Sequence, residues 1–284
     1  FSKQQVAILR TLPEYDGQRE IREIEQFYLQ AIDQAEQYLY LENQYLTSHK
    51  IASALEHSLR QPEGPELVIV LPRHCPGWLE EETMGVLRMR LHQRLLAADT
   101  HHRLLICYPD RADLDKDVII VHSKVLIADN QLLTIGSANL SNRSMSFDSE
   151  CNFGLAADGD DGRADIIRDL LHRLLAEHLG CERQEINKTL SQSGSLLATI
   201  DELGNEERCL KKLPLEETPV EWRALPGKLI ADPEKPIGLE QLLDYCGIAV
   251  DSDEGEKHSY RRKALFFLMT LLMALLLGGL DRKS

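Results

Sequence analysis

His122 and Lys124 stand two residues apart in the stretch "VHSKVLIADNQLLTIGSANLSNRS", residues 121–144. Alternate side chains of an extended backbone share a face, so this spacing sets an imidazole beside an ammonium. Asp129 follows Lys124 by five positions, then come Gly136, Ser137 and Asn139, giving H-x-K-x4-D-x6-G-S-x-N once in 284 residues. These residue types suit a phosphodiester. Lys124 and the Asn139 amide can donate to phosphate oxygens, Ser137 adds a hydroxyl or main-chain N–H, and Gly136 lets the backbone come close. A histidine near its ordinary pKa can attack phosphorus when neutral or protonate a leaving alkoxide when charged. One imidazole cannot do both in the same step, so a single copy supplies half of the chemistry.

The pattern resembles the HKD motif of the phospholipase D superfamily. "LRTLP" near the start, "YLYLENQYLTS" at 38–48 and "VLPRHCPGWLEEETM" at 70–84 are similar to the C-terminal half of two-motif bacterial phospholipases D. The resemblance covers roughly residues 5–180, and "DPEKPI" extends it weakly. It implies an α/β fold, a phospholipase D-like α/β/α sandwich forming one half of the usual pair. It also implies hydrolysis or transphosphatidylation of glycerophospholipids through a phosphohistidine, without a cofactor. The second HKD motif would come from an absent N-terminal half or from a homodimer. In that scheme His122 is the acid/base, and the catalytic set is His122, Lys124, Asp129 and Glu150, with Lys124, Ser137 and Asn139 on the phosphate. Glu150, 28 residues after His122, stands where the family places an acidic residue that orients an imidazole, with Asp148 the alternative. Asp129 sits at a turn, where bracing the hairpin is its more natural work.

The elements that must carry these groups follow from periodicity. "VAILRTL" reads as a strand, and Ile21, Ile24, Tyr28, Ala31, Ile32 and Ala35 fall at helical spacing behind it. Strand and helix patterns then alternate through "YLYLENQYL", "HKIASALEHSLRQ", "ELVIVLP", "LEEETMGVLRMRLHQRLLAA" and "RLLICYP", which predicts a mostly parallel, doubly covered sheet. "VIIVHSKVLIA" and "LLTIGSA", separated by "DNQ", break the rhythm as a hairpin. After "CNFGLAA", Ile166, Leu170, Leu174 and Leu175 mark one face of a helix. Glu42, Asn43 and Gln44 end a strand at its carboxyl side, where open α/β sheets bind ligands, so they are either a substrate pocket or a polar cluster at the sheet edge.

Three segments are expected: a catalytic half-domain over 1–180, an acidic, proline-containing extension over 181–260 with a short helix near "GLEQLLDYC", and a membrane helix over 264–280. "ALFFLMTLLMALLLGGL" holds ten Leu and Phe residues, which at roughly −0.5 kcal/mol each favour the bilayer by about 5 kcal/mol. As a helix it would span about 25 Å, short for a crossing. "RRK" and Lys257 before it slightly outnumber Arg282 and Lys283 after it, which places the catalytic part on the cytoplasmic side of a bacterial inner membrane.

A net charge of −14 argues against affinity built on neutralising nucleic-acid phosphates, so no nucleic acid is expected as partner. The expected partners are a phospholipid substrate, a membrane and a second HKD motif. The six cysteines show no C-x-x-C pair, and free thiols without a structural metal are expected. "DGDDG" at 158–162 departs from a calcium loop and reads as a solvated turn. The chain starts at Phe1 with no basic leader, and it reads as cut from something longer. Beside a phospholipase stand a cardiolipin-synthase-like phosphatidyltransferase and an inactive half-enzyme or membrane-attached module that needs a partner. A homodimeric nuclease is the least favoured reading.

Overall fold

The computed structural model describes residues 5–75, 80–114, 118–215 and 232–235. Nine strands form one sheet: β1 (Ala7–Leu12), β2 (Ile21–Arg22), β3 (Tyr38–Glu42), β4 (Glu66–Val70), β5 (Leu104–Arg111), β6 (Val125–Ala128), β7 (Leu132–Gly136), β8 (Glu150–Ala156) and β9 (Arg208–Lys212), in the order β2-β1-β8-β7-β6-β3-β4-β5-β9. Only β3–β4 and β4–β5 pair in parallel, and the other six pairings are antiparallel. The mostly parallel sheet expected from alternating patterns is therefore corrected to a mixed one. Crossover helices enforce parallel pairing only between β3 and β5, whereas short turns and returning strands build the rest antiparallel.

Helices cover both faces. On one side lie α1 (Glu23–Gln34), α2 (His49–Arg60) and α3 (Val86–Ala98), the last continuing a π-helical turn at Glu81–Gly85. Ile24, Tyr28, Ile51, Leu55 and Leu95 from these helices pack with Leu39, Leu41, Leu126 and Ala128 of the sheet. On the other side lie α5 (Asp161–Leu179), α6 (Arg183–Ser193) and α7 (Leu196–Leu203), over Tyr40, Val68, Val125 and Ile127. Odd and even residues of β3 and β6 thus face different cores, as pleating requires. Within α5 the fully buried stripe is Ile167, Leu171, Leu175 and Leu179, with Ile166, Leu170 and Leu174 at its margin, one position on from the predicted face.

The α/β body does not end near Gly180. Gly180, at φ 64°, stops α5 as a left-handed cap, and the chain turns back into α6, α7 and β9. Ile186, Leu196, Ile200 and Leu210 are buried in the second core, and β9 closes the sheet against β5. The Glu66 carboxylate at the start of β4 accepts from the Leu196 and Leu197 amides at 2.6 and 3.1 Å, tying α7 to the sheet. The body extends past the expected boundary because even short, mostly polar helices carry enough apolar positions, Ile186, Leu196 and Ile200, to bury in the second core. The helix near "GLEQLLDYC" and the apolar run 264–280 lie outside the described residues. No helix among the described residues is long and apolar enough to cross a membrane.

A short α4 (Asn142–Ser146) follows the β6–β7 hairpin, which forms as expected over Val125–Gly136. At its turn Asp129 and Asn130 adopt φ near 50° and 55°, a left-handed conformation that Asp and Asn tolerate. The Asp129 carboxylate accepts from the amides of Glu36, Gln37 and Tyr38 at 2.6, 2.9 and 2.7 Å. Three charge-assisted bonds to the entry of β3 lead us to expect that Asp129→Ala destabilises the fold by about 2–4 kcal/mol, with Asp129→Asn costing less. Urea denaturation checks this, and a loss under about 0.5 kcal/mol for the alanine variant would reject the bracing role.

Candidate active site

The site is assembled by register. β3 and β6 are antiparallel with Glu42 opposite Val125, so the residues following Glu42 run beside those preceding Val125. Lys124 lies just before β6 begins, and its Nζ donates to Gln44 Oε1 at 3.2 Å and to the His122 carbonyl at 2.9 Å. The lysine is only 5% exposed, while the His122 ring is open to solvent. Among the described residues no carboxylate pairs with this ammonium. Burial lowers its pKa below the ordinary lysine value, and the more distant charge of Glu150 works against that shift.

Gly136 closes β7 and brings the chain against β8, its amide donating to the Lys124 carbonyl at 3.1 Å. A Cβ on Gly136 would meet Asn152 Cα at 2.5 Å, so only glycine allows this approach. Asn152, fully buried, accepts from the Ala138 amide at 3.2 Å and donates to Thr134 Oγ1 at 3.2 Å. Ser137 Oγ donates to Glu150 Oε2 and accepts from the Cys151 amide at 3.1 Å. Ser144 Oγ of α4 holds the other Glu150 oxygen at 2.7 Å. The Asn139 Oδ1 is buried with no hydrogen-bond partner among the described residues. Lys124, Ser137, Asn139 and Glu150 are therefore gathered at one end of the hairpin beside His122.

Glu42, Asn43 and Gln44 do three different things. Gln44 holds the lysine and donates to Tyr45 Oη at 3.2 Å. Asn43 Oδ1 accepts from the Leu140 and Tyr45 amides at 3.1 and 3.2 Å, and its Nδ2 donates to the Ala138 carbonyl at 3.5 Å, so it clasps the loop carrying Asn139. Glu42 belongs to the other face, with Tyr40. It accepts from Tyr40 Oη at 2.5 Å and from Ser123 Oγ, and lies 2.9 Å from His178 Nε2 in α5. Burial opposes its ionisation, but the bonds from His178, Ser123 and Tyr40 win and hold its pKa below the ordinary range. Burial and the adjacent carboxylate push the Tyr40 phenol well above its usual pKa and keep it a donor. Glu42 is thus a buried polar hub behind the site and does not open onto a substrate pocket.

Asp129 stands five residues along the strand from Lys124, about 16 Å on an extended chain, with its carboxylate spent on backbone amides. Asp148 is paired with Arg143 at 2.7 Å, leaving Glu150 as the carboxylate at Ser137. Sequence reasoning missed Ser123, Ser144, Asn152, His178 and the buried Asp232. Asn152 alternates with Glu150 along β8 and could have been found that way, but no local signal ties His178 to Glu42, 136 residues away. Cys75, Cys107, Cys151, Cys181 and Cys209 are free thiols. No group of three metal-ligating side chains occurs among the described residues.

The family model described as "Cardiolipin synthase, PLD-like domain" matches residues 28–163. Phospholipase D A of Dictyostelium discoideum is 29% identical over 220 residues, covering 62% of this chain, and Phospholipase D C of the same organism is 29% identical over 154 residues, covering 43%. The chain spans 17% and 9% of the lengths of these two relatives. Solved structures overlay loosely. Nuc from Salmonella typhimurium has 18% identity and a TM-score of 0.39, covering 54% of this chain and 82% of that one. A phosphatidylserine synthase from Haemophilus influenzae has 15% identity and a TM-score of 0.38, covering 57% and 38%.

The Glu42 hub sets a pH dependence of stability. Its folded pKa is depressed, so its contribution is complete above the unfolded value of about 4.3 and is lost as pH falls through the lower folded value. Glu42→Gln is expected to cost about 2–4 kcal/mol at pH 7, with the gap to wild type narrowing from about pH 5 to pH 3. Denaturation across that range checks the sign, and a gap that widens toward acid would contradict it.

Proposed function

Since the chain belongs to the phospholipase D superfamily, we propose that it cleaves or exchanges phosphodiester bonds of glycerophospholipids, with His122 as acid/base. The observation that carries this reading is the Lys124 ammonium. It is buried, bonded among the described residues to a carbonyl and an amide oxygen and to no carboxylate, and close in sequence to the exposed His122. An ammonium has three donors, and two are assigned here. A buried cation without a carboxylate is costly unless an anion completes its shell, and a phosphate oxygen does so.

In the first step the imidazole of a second HKD motif attacks phosphorus, the bond to the leaving alcohol breaks, and the His122 imidazolium gives its proton to the departing alkoxide. In the second, neutral His122 takes a proton from water or an alcohol whose oxygen attacks phosphorus. The N–P bond then breaks and the nucleophilic imidazole is restored. Lys124 and Asn139 stabilise the charge on the non-bridging oxygens, while Ser137, whose hydroxyl donates to Glu150 and whose amide donates to the Cys151 carbonyl, holds the loop beside them.

The second imidazole comes from a longer chain or from a second copy. An apolar row supports a protein partner: Ile8 pairs with Phe153 and Phe153 with Ile135 across β1, β8 and β7, at 60%, 56% and 39% exposure, beside Ser137. The membrane enters as source of substrate and as the destination of the apolar run 264–280. Phosphatidyl transfer is a second reading, favoured by the cardiolipin synthase description of the matching family model. An alcohol acceptor then replaces water.

The test is head-group release from phosphatidylcholine in mixed micelles, with and without phosphatidylglycerol, beside His122→Ala. Loss of release by about 10³-fold in the variant is expected, with an alkaline limb below the ordinary lysine value of about 10.4 because Lys124 titrates early. Added phosphatidylglycerol diverting product to a diphosphatidyl lipid would select the transferase. Equal background signals from both proteins would reject activity by this chain alone and leave the half-enzyme, whose activity returns when a domain carrying the missing motif is added.

A further inference from the structure

Asp232 is 1% exposed, yet it lies 82 positions beyond Glu150, at the head of the "DPEKPI" stretch, to which no role has been assigned above. Its Oδ1 accepts from the Arg143 amide at 2.8 Å, and its Oδ2 accepts from the amide and side-chain Nδ2 of Asn142, both at 3.0 Å. The Asn142 side chain reaches on to the other wall of the site. Its Nδ2 donates to the Thr47 carbonyl at 3.2 Å, and its Oδ1 accepts from the His49 amide at 3.1 Å. Nearby, Ser146 Oγ donates to the Glu234 carbonyl at 2.9 Å, so the segment 232–235 is seated on α4 at two points.

These bonds lead to the reacting groups along two routes. Through the backbone of α4, Asp232 fixes Ser144, which holds one oxygen of Glu150 while Ser137 holds the other. Through Asn142 it fixes residues 47–49, the continuation of the loop whose Gln44 holds Lys124. α4 has five residues and little stability of its own, so its position is set by what caps and packs it.

We infer that Asp232 is a positioning residue for phosphodiester chemistry, a buried carboxylate that sets Glu150 and Ser137 through α4 and braces the loop behind Lys124 through Asn142. The inference rests on the functional reading above, and its distinctive claim is that the carboxylate acts on turnover as well as on stability. A charge-assisted cap alone would affect folding only.

The experiment compares Asp232→Ala, Asp232→Asn and Ser144→Ala with Asp160→Ala, which removes an exposed N-cap from α5, where Asp160 accepts from the Gly162 amide at 2.9 Å. Head-group release is measured per folded molecule, together with inorganic phosphate binding by calorimetry and amide hydrogen exchange over residues 136–140. Asp232→Ala should lower kcat at least tenfold with KM within twofold, and should speed exchange at Ser137 and Ala138. Asp232→Asn should recover most of the turnover. Ser144→Ala should reproduce the kcat loss with thermal stability close to wild type, and Asp160→Ala should lower stability with kcat unchanged. Equal kcat in Asp232→Ala and wild type, or a silent Ser144→Ala, would overturn the inference. Should wild type neither turn over lipid nor bind phosphate, the functional reading fails. The exchange rates at residues 136–140 then decide the relay alone, and unchanged rates in Asp232→Ala reject it.

Discussion

The site depends on the pairing of β3 with β6, and that pairing is held at its far end by Asp129. A two-residue turn with both residues at positive φ delivers the carboxylate to three consecutive amides at the start of β3. With that end fixed, Tyr38 to Glu42 align against Val125 to Ala128 without freedom to slip. A slip of one residue would send every side chain of β6 to the opposite core. Leu126 and Ala128 belong to one core and Val125 and Ile127 to the other, so both cores oppose it. The same register brings Gln44 to Lys124.

Two buried charges of opposite sign follow, one on each face of the sheet. Glu42 is fully satisfied by Tyr40, Ser123 and His178, and its pKa is depressed despite burial. Among the described residues Lys124 has only neutral oxygens for partners, and burial lowers its pKa. A satisfied buried ion stabilises a fold, whereas an incompletely satisfied one is tolerated where function uses it. The contrast separates Glu42 of the "ENQ" stretch, fully bonded, from Lys124 of the "HSK" stretch, whose shell is incomplete among the described residues. Asn43 and Asn152 complete the arrangement by clasping residues 138–140 from both sides, so the loop carrying Asn139 stands on buried amides.

Contributions from beyond residue 180 serve the first 160 residues. α6, α7 and β9 close the second core and the edge beyond β5, and Asp232 returns to cap α4. The chain thus treats its later segments as cover and buttress for the cluster from His122 to Glu150, whose members lie within 30 residues of one another.

The amino-acid sequence by itself brought His122, Lys124, Gly136, Ser137, Asn139 and Glu150 together, because they lie on or beside one hairpin and its returning strand, where spacing translates directly into neighbourhood. It determined most strands and helices for the same reason, since periodicity is a local property. It also marked Asp129 as a turn residue. Only the tertiary structure decided that the sheet is mixed, that residues 181–213 belong to the body, that Glu42 points away from Lys124, and that Asp148 pairs with Arg143 while Glu150 meets Ser137. Each of these turns on contacts between residues tens to more than a hundred positions apart, or on which of two near-equivalent carboxylates a bend delivers. Such choices are made by packing and by the pairing of buried polar groups, and neither leaves a periodic mark in the chain.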